Sequence, residues 1–355
     1  MSSLQNVIDE WVRPSKLCEP LEGGRVRCLA CGHRCPIFDG QRGICKVRYN
    51  RNGRLYAPYG YVAADHADPI EKKPFFHVLP GGLAFSFGML GCDLHCGYCQ
   101  NWLSSQALRD PAAGTGVRQA SPEDLIERAL ASGADAVVST YNEPLISVEW
   151  AVEVFRLARG AGLLTGVVSN GNATPEVLEF LRPWLDLFKV DLKSFDRGRY
   201  RELGGRLAPI LDSIRRIHRM GLWIEVVTLL VPDFNDSEDE LGRLAGFLAS
   251  VSPDIPWHVT AFHPDYKMTG GRATRPDDLH RAAEIGQREG LRFVYRGNRP
   301  GEVGSGEDTI CPGCGATVIR RSGFRVLEQR VTAGGACPDC RARLPGRWCR
   351  IPLPV

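Results

Sequence analysis

The sequence predicts an α/β protein, with parallel strands and helical crossovers arranged as an open sheet or barrel between two cysteine-rich segments. Three observations predict it. From about Gly82, apolar β-type runs alternate with helical stretches, an order that joins parallel strands by right-handed crossovers. Thirteen cysteines fall mainly into groups near the start, the middle and the end of the chain. The 355 residues are 43% hydrophobic and 24% charged, enough for a sizeable core, which excludes collagen-like, disordered and coiled-coil classes.

Residues 1–80 are rich in Arg, Gly and Pro with little periodicity, and they read as a Cys-rich metal-binding module. Residues 81–298 form the regular core. Its β-type runs are 83–87, 136–140, 163–169, 187–192, 223–231, 258–262 and 291–295. The helical stretches between them are 122–132, 145–161, 175–181, 207–220, 237–250 and 277–289. Ser121-Pro122-Glu123-Asp124, Thr174-Pro175-Glu176 and Asp236-Ser237-Glu238 are helix-start signals. The uncharged stretch from Pro74 to Cys92 is interrupted by His77, Pro80 and several glycines, so a buried strand suits it better than a membrane span. Residues 299–355 form a short Gly/Arg-rich tail with its own cysteines.

The net charge is +3, from 44 basic and 41 acidic residues, too balanced to advertise nucleic acid or a membrane surface as the main partner. The first residues lack the apolar stretch of a signal peptide, so a soluble cytoplasmic protein is expected. In that compartment thiols stay reduced and clustered cysteines hold metals.

The central group carries the chemistry. Cys92, Cys96 and Cys99 have the spacing C-x3-C-x2-C, directly after the first regular strand. Three thiolates on one loop can hold three irons of a [4Fe–4S] cluster and leave the fourth open. A zinc site completed by His95 or a distant residue is the competing reading. The loop and its place at the head of a β/α series resemble the radical S-adenosylmethionine (SAM) enzymes. That resemblance implies a partial (β/α)6-type barrel and reductive cleavage of SAM at the cluster. It also implies that a 5′-deoxyadenosyl radical then abstracts a substrate hydrogen. Cys92, Cys96 and Cys99 would be catalytic, and Tyr98 would lie near the adenine.

The later strand ends supply candidate SAM contacts. Asn142-Glu143-Pro144 stands where enzymes similar to pyruvate formate-lyase activating enzyme carry a Gly-Gly-Glu-Pro-like turn, so Glu143 is the candidate for the SAM ammonium. The missing glycine leaves the backbone contact at Asn142 open. Asn170 follows the third strand. Lys189, Asp191 and Lys193 alternate on one face of the fourth, an inward row of charges that is costly unless paired or used. Asp191 and Lys193 resemble the Asp-Leu-Lys of the activating-enzyme group and are candidates for ribose or carboxylate contacts. His258 and His263 are further candidates, from their expected place at a strand's C-terminal end.

The flanking cysteines read as metal sites. Cys311-Pro312-Gly313-Cys314 and Cys337-Pro338-Asp339-Cys340 are two knuckles that together make a four-thiolate zinc ribbon, with rubredoxin-like iron as the alternative. Residues 317–321 and 325–329 between them look like a hairpin. Cys28, Cys31, Cys35 and Cys45, with Cys18 as an alternative ligand, read as a structural zinc site, with a second iron–sulfur cluster as the alternative. Cys18 and Cys349 read as free thiols.

Taken together, the chain resembles the radical SAM enzymes of the AmmeMemoRadiSam system, a branch related to activating enzymes. The resemblance rests on residues 28–35 with Gly43-Ile44-Cys45, on residues 68–74 (Asp-Pro-Ile-Glu-Lys-Lys-Pro), on residues 91–102 and on the tail. It implies Memo-like and Ammecr-type partner proteins and a low-potential electron donor of flavodoxin or ferredoxin type. Glycyl-radical-enzyme activation is one alternative function. A non-enzymatic zinc-ribbon module binding nucleic acid or protein is the other, although the tail arginines lack interleaved aromatic residues.

Overall fold

The computed structural model describes residues 4–350. Its centre is an eight-stranded sheet. Seven strands are parallel and stand in chain order: β1 (Leu83–Gly88), β2 (Ala136–Ser139), β3 (Leu164–Ser169), β4 (Leu187–Asp191), β5 (Trp223–Leu230), β6 (Trp257–Ala261) and β7 (Val294–Gly297). The eighth strand, Ala64–Pro69, pairs antiparallel with β1 at the sheet edge. It belongs to the segment read above as the N-terminal module, so that segment and the core share one sheet.

Six helices of seven residues or more lie between the parallel strands: α1 (Pro122–Ala131), α2 (Val148–Gly160), α3 (Pro175–Leu181), α4 (Leu207–Arg219), α5 (Glu238–Val251) and α6 (Pro276–Arg288). The expected caps form. Ser121 accepts from Asp124 N, Thr174 from Val177 N and Ser237 from Glu240 N. Seven expected strands correspond to seven observed ones. The last begins later than expected because residues 290–293 complete the turn after α6, with Leu291 N bonded to Gly286 O.

Side-chain alternation divides the sheet's two faces. Phe85, Phe87, Val137, Val167, Phe188 and Val190 belong to the large core that includes apolar residues of the helices. Ala84, Ala136, Val138, Leu164 and Leu187 form a second cluster with Ile70, Phe75 and Val78, which plug one end of the opposite face. Above that plug the same face becomes polar.

Residues 4–62 fold into a short helix, Leu4–Glu10, and short strands, and apolar residues of this segment, among them Val26, Ile37, Val47 and Leu55, join the large core. At the other end of the chain, Thr309–Ile310, Thr317–Ser322 and Arg325–Gln329 form a three-stranded antiparallel sheet. It includes the expected hairpin. Its core contains Val318, Ile319 and Val331 together with Phe76, Phe293 and Tyr295. Arg321 fastens this ribbon from within: its guanidinium donates to Phe76 O and Thr309 Oγ1 and stands 3.5 Å from Glu71 Oε1.

Among the described residues, no helix is long and apolar enough to cross a membrane.

Candidate active site

The C-terminal ends of the parallel strands surround a cavity of about 410 Å³. Cys92, Cys96 and Cys99 enter it from the loop after β1, and Tyr98 lies in the same wall. Thr140 to Glu143 follow β2, Asn170 follows β3, and Asp191 and Lys193 come from the end of β4. Val227, Leu229 and Thr260 complete the far side, and Phe324 of the C-terminal hairpin reaches the wall as well.

The cysteine loop is held by its neighbours. Gly91 sits at φ +89°, and a Cβ there would meet Cys45 O at 2.9 Å, so only glycine lets the loop approach the N-terminal segment this closely. His95 does not turn toward the cysteines as a fourth ligand. Its ring packs on Gly204, where an added Cβ would overlap it at 1.9 Å. Ser105 Oγ lies 3.2 Å from Cys99 Sγ. Burial raises the Cys92 thiol well above its usual range and pushes Cys96 up to about 12, so these sulfurs are neutral until a metal displaces their protons.

Asn142 and Glu143 have separate tasks. Asn142 Oδ1 accepts from Met89 N at 3.0 Å, and its amide donates to Glu143 O at 3.2 Å, which pins the ends of β1 and β2 together. The Glu143 carboxylate accepts from Leu145 N (3.1 Å) and Ser169 Oγ (2.7 Å) at Oε1, and from Asn170 N (2.8 Å) at Oε2. Oε2 keeps a lone pair for a cation. Burial, and then the nearby Asp93, push the Glu143 carboxyl up to about 8.

Lys189, Asp191 and Lys193 meet as the alternation requires. Asp191 accepts from both lysines, from Lys193 at 3.2 Å. Burial opposes its charge, but the two lysines outweigh burial and hold its carboxyl at about 2. The Tyr98 ring is buried edge-on against Phe234 and Phe262, and its hydroxyl has no partner among the described residues.

The two histidines are placed differently from the expectation. His258 is the second residue of β6, not near its C-terminal end. It shares the face of Thr260 but lies one layer below it, where its Nε2 meets Glu225 Oε2 at 2.7 Å. Glu225 also accepts from Phe76 N and His77 N, so His258 belongs to the buried plug and not to the cavity wall. His263 is exposed and reaches the cavity only through Gln100, whose Nε2 donates to its ring at 3.1 Å.

At the end of the chain, Cys311, Cys314, Cys337 and Cys340 bring their sulfurs within 4.8 Å of one another, a closed four-thiolate set able to bind a metal. No other group of three or more candidate ligands among the described residues is this tight.

The Radical SAM superfamily model matches residues 88–245, the stretch from the end of β1 into α5. The uncharacterized protein MJ0808 of Methanocaldococcus jannaschii is 36% identical over 312 residues, covering 87% of this chain and 92% of that protein. A pyruvate formate-lyase-activating enzyme of Listeria monocytogenes serovar 1/2a is 30% identical over 201 residues, 51% of this chain and 76% of the enzyme. The chain belongs to the radical SAM superfamily. It is therefore an enzyme of the radical SAM class, and that class implies SAM and a [4Fe–4S] cluster. A solved domain of a pyruvate-formate lyase-activating enzyme from Bacteroides vulgatus is 22% identical, with a TM-score of 0.42, covering 46% of this chain and all of that domain.

Two features of the cavity and the cysteine loop escaped the sequence reading. Asp93 is fully buried beside Cys92 and accepts from Asn170 Nδ2 and Asn172 Nδ2, both at 2.7 Å. An acid inside a loop of thiolates is the signal that could have found it. Lys73 lines the cavity and donates to Asp68 and to Tyr141 Oη at 3.2 Å. Tyr141 stands at φ +70°, a strained conformation at the cavity edge.

Proposed function

We propose that Cys92, Cys96 and Cys99 hold three irons of a [4Fe–4S] cluster and that the cavity binds SAM together with a substrate that gives up a hydrogen atom. The observation that carries this is the meeting of the three-cysteine loop with one cavity built from the C-terminal ends of β2 to β6. The donor set fits the group: three thiols without a fourth, an acid with a free acceptor position, paired lysines and a buried hydroxyl awaiting a partner. When bound and reduced by an external low-potential donor, the cluster would supply the one electron for reductive cleavage of SAM.

The chain's own residues do the rest. Glu143 receives the SAM ammonium on Oε2. Asn142 and Asn170 set its position. Lys193 and Asp191 take the carboxylate and ribose, and Tyr98 faces the adenine. Lys189, bonded to Asp191, stiffens that pair. Leu229, Val227 and Val168 exclude water around the reacting hydrogen.

The motifs at residues 28–45, 68–74 and 91–102 favour the AmmeMemoRadiSam branch, with Memo-like and Ammecr-type proteins as partners, a flavodoxin- or ferredoxin-type donor and a cytoplasmic setting. Zinc is assigned to the C-terminal four-thiolate set. Glycyl-radical-enzyme activation is the second reading, favoured by the Listeria relative.

Anaerobic protein with SAM and a strong reductant tests the proposal. Wild type is expected to release 5′-deoxyadenosine, and replacing Cys92, Cys96 and Cys99 together with Ala is expected to abolish it. Undiminished release from the triple variant would overturn the assignment. Deuterium transfer from candidate substrates to 5′-deoxyadenosine then separates small molecules from a glycyl-radical protein.

A further inference from the structure

We infer that Lys73, with Lys72 beside it, forms an oxyanion-binding subsite in the cavity wall, and that the substrate carries a carboxylate or phosphate group seated there. This deepens the SAM reading above and rests on it for the partners of the other charges. Lys72, Lys73, Lys189 and Lys193 line the cavity, against the carboxylates of Glu143 and Asp191. The lysines form two similar pairs. Lys189 and Lys193 share Asp191, and the positive charge left over there is the one assigned to the SAM carboxylate. Lys72 and Lys73 share Asp68, at 2.8 and 2.9 Å. Among the described residues neither has a second carboxylate, so two cations again meet one anion. SAM, with its single carboxylate already placed, leaves that excess unanswered.

Lys73 is the member of the pair for which charge is costly. Its side chain is 5% exposed, against 49% for Lys72, and burial lowers its hold on its proton. An ammonium drawn this far out of water is stabilised by each further acceptor it meets. Lys73 Nζ donates to Asp68 Oδ2 and to Tyr141 Oη, which leaves the third of its N–H groups for a ligand.

The backbone is spent on holding it there. Tyr141 keeps φ +70°, where glycine is the ordinary occupant, and strain of this kind persists where it serves a site. What it serves is Lys73, whose Nζ donates to the Tyr141 hydroxyl at 3.2 Å and lies 4.9 Å from the ring centroid. A Cβ at Gly88 would meet Tyr141 Cβ at 2.9 Å, so β1 ends bare to admit the tyrosine. Tyr141 is therefore a positioning residue for the ammonium. Phe324 lines the cavity and also shares a groove with Pro69, the residue after Asp68, which brings an apolar ring near the lysine pair.

Full-length protein, reconstituted with iron and sulfide and saturated with SAM, is titrated anaerobically at fixed ionic strength with inorganic phosphate and separately with acetate. Wild type is expected to bind one of the probes saturably. Preference for phosphate assigns a phosphorylated substrate, and preference for acetate a carboxylate. Lys73→Gln should weaken that binding by about tenfold or more, the loss of a charge-assisted hydrogen bond. Asp68→Asn frees both lysines of their shared carboxylate and should tighten it severalfold. The two variants move in opposite directions, which a loss of folding cannot produce. Undiminished binding in Lys73→Gln, binding in Asp68→Asn no tighter than in wild type, or no saturable binding of either probe would overturn the subsite. SAM affinity and 5′-deoxyadenosine release by wild type are read on the same preparation. Their absence would sink the SAM reading, whereas their presence beside a failed titration would sink the subsite alone.

Discussion

Asn170 donates its side-chain amide to Asp93 Oδ1 at 2.7 Å, tying the end of β3 to the residue that follows Cys92. Asn172 donates to the other oxygen at the same distance. One buried carboxylate thus fixes the cysteine loop against the strand that also positions Glu143. Asp93→Ala leaves two buried amides unpaired and should cost about 2–4 kcal/mol. Urea unfolding measures that loss. Cluster content should fall with it, because the loop loses its anchor; a variant as stable and as iron-rich as wild type would refute this role.

The Tyr98 hydroxyl is buried without a partner among the described residues, a state that costs roughly 1–3 kcal/mol in the ligand-free protein. Tyr98→Phe should therefore raise ligand-free stability by about 1 kcal/mol while weakening SAM binding several-fold. Thermal unfolding and equilibrium binding check the two halves separately. Lower stability in the variant would mean that the hydroxyl is already satisfied.

Asp191 separates a buried lysine, Lys189, from a half-buried one, Lys193. Asp191→Asn removes the charge that both lysines face and should destabilise the fold by about 3–5 kcal/mol, the cost of leaving buried charge uncompensated. A further Lys189→Met change should recover part of that loss. Denaturation midpoints of the single and double variants decide it, and a double variant weaker than the single one would count against the pairing.

Glu143 makes stability depend on pH in a definite direction. Its folded carboxyl titrates near 8, above the ordinary 4.5, so the folded state binds its proton more tightly than the unfolded chain does. The contribution is complete below the ordinary value and is lost as pH rises through about 8. Glu143→Gln cannot ionise. The stability of wild type relative to this variant should therefore fall between about pH 5 and about pH 9. Parallel curves for the two proteins would show that Glu143 is not perturbed.

Removing metal from Cys311, Cys314, Cys337 and Cys340 should loosen the ribbon before the sheet. Hydrogen exchange should accelerate by about tenfold or more at 317–329 and at Phe76 and His77, the residues that Arg321 and Glu225 hold. Exchange confined to the cysteine knuckles would show that the hairpin stands without metal.

The core was legible because its signals are long and redundant. Each parallel strand is an apolar run between turns, and α1, α3 and α5 begin at caps readable in sequence. Cys92, Cys96 and Cys99 announce themselves by spacing. His258 was misplaced because it stands near the start of its strand, two residues and so one layer below Thr260, the residue of that face that reaches the cavity. The first sixty residues resisted reading for a different reason. Their strands are two to five residues long, too short for any period, and their order depends on contacts with the core.

Phe324 lines the cavity although it lies more than two hundred residues beyond the cysteine loop. A chain still being synthesised therefore has its three thiols long before it has this part of the chamber. That stretch of the wall forms only once the C-terminal hairpin has been made and has folded back onto the strand ends.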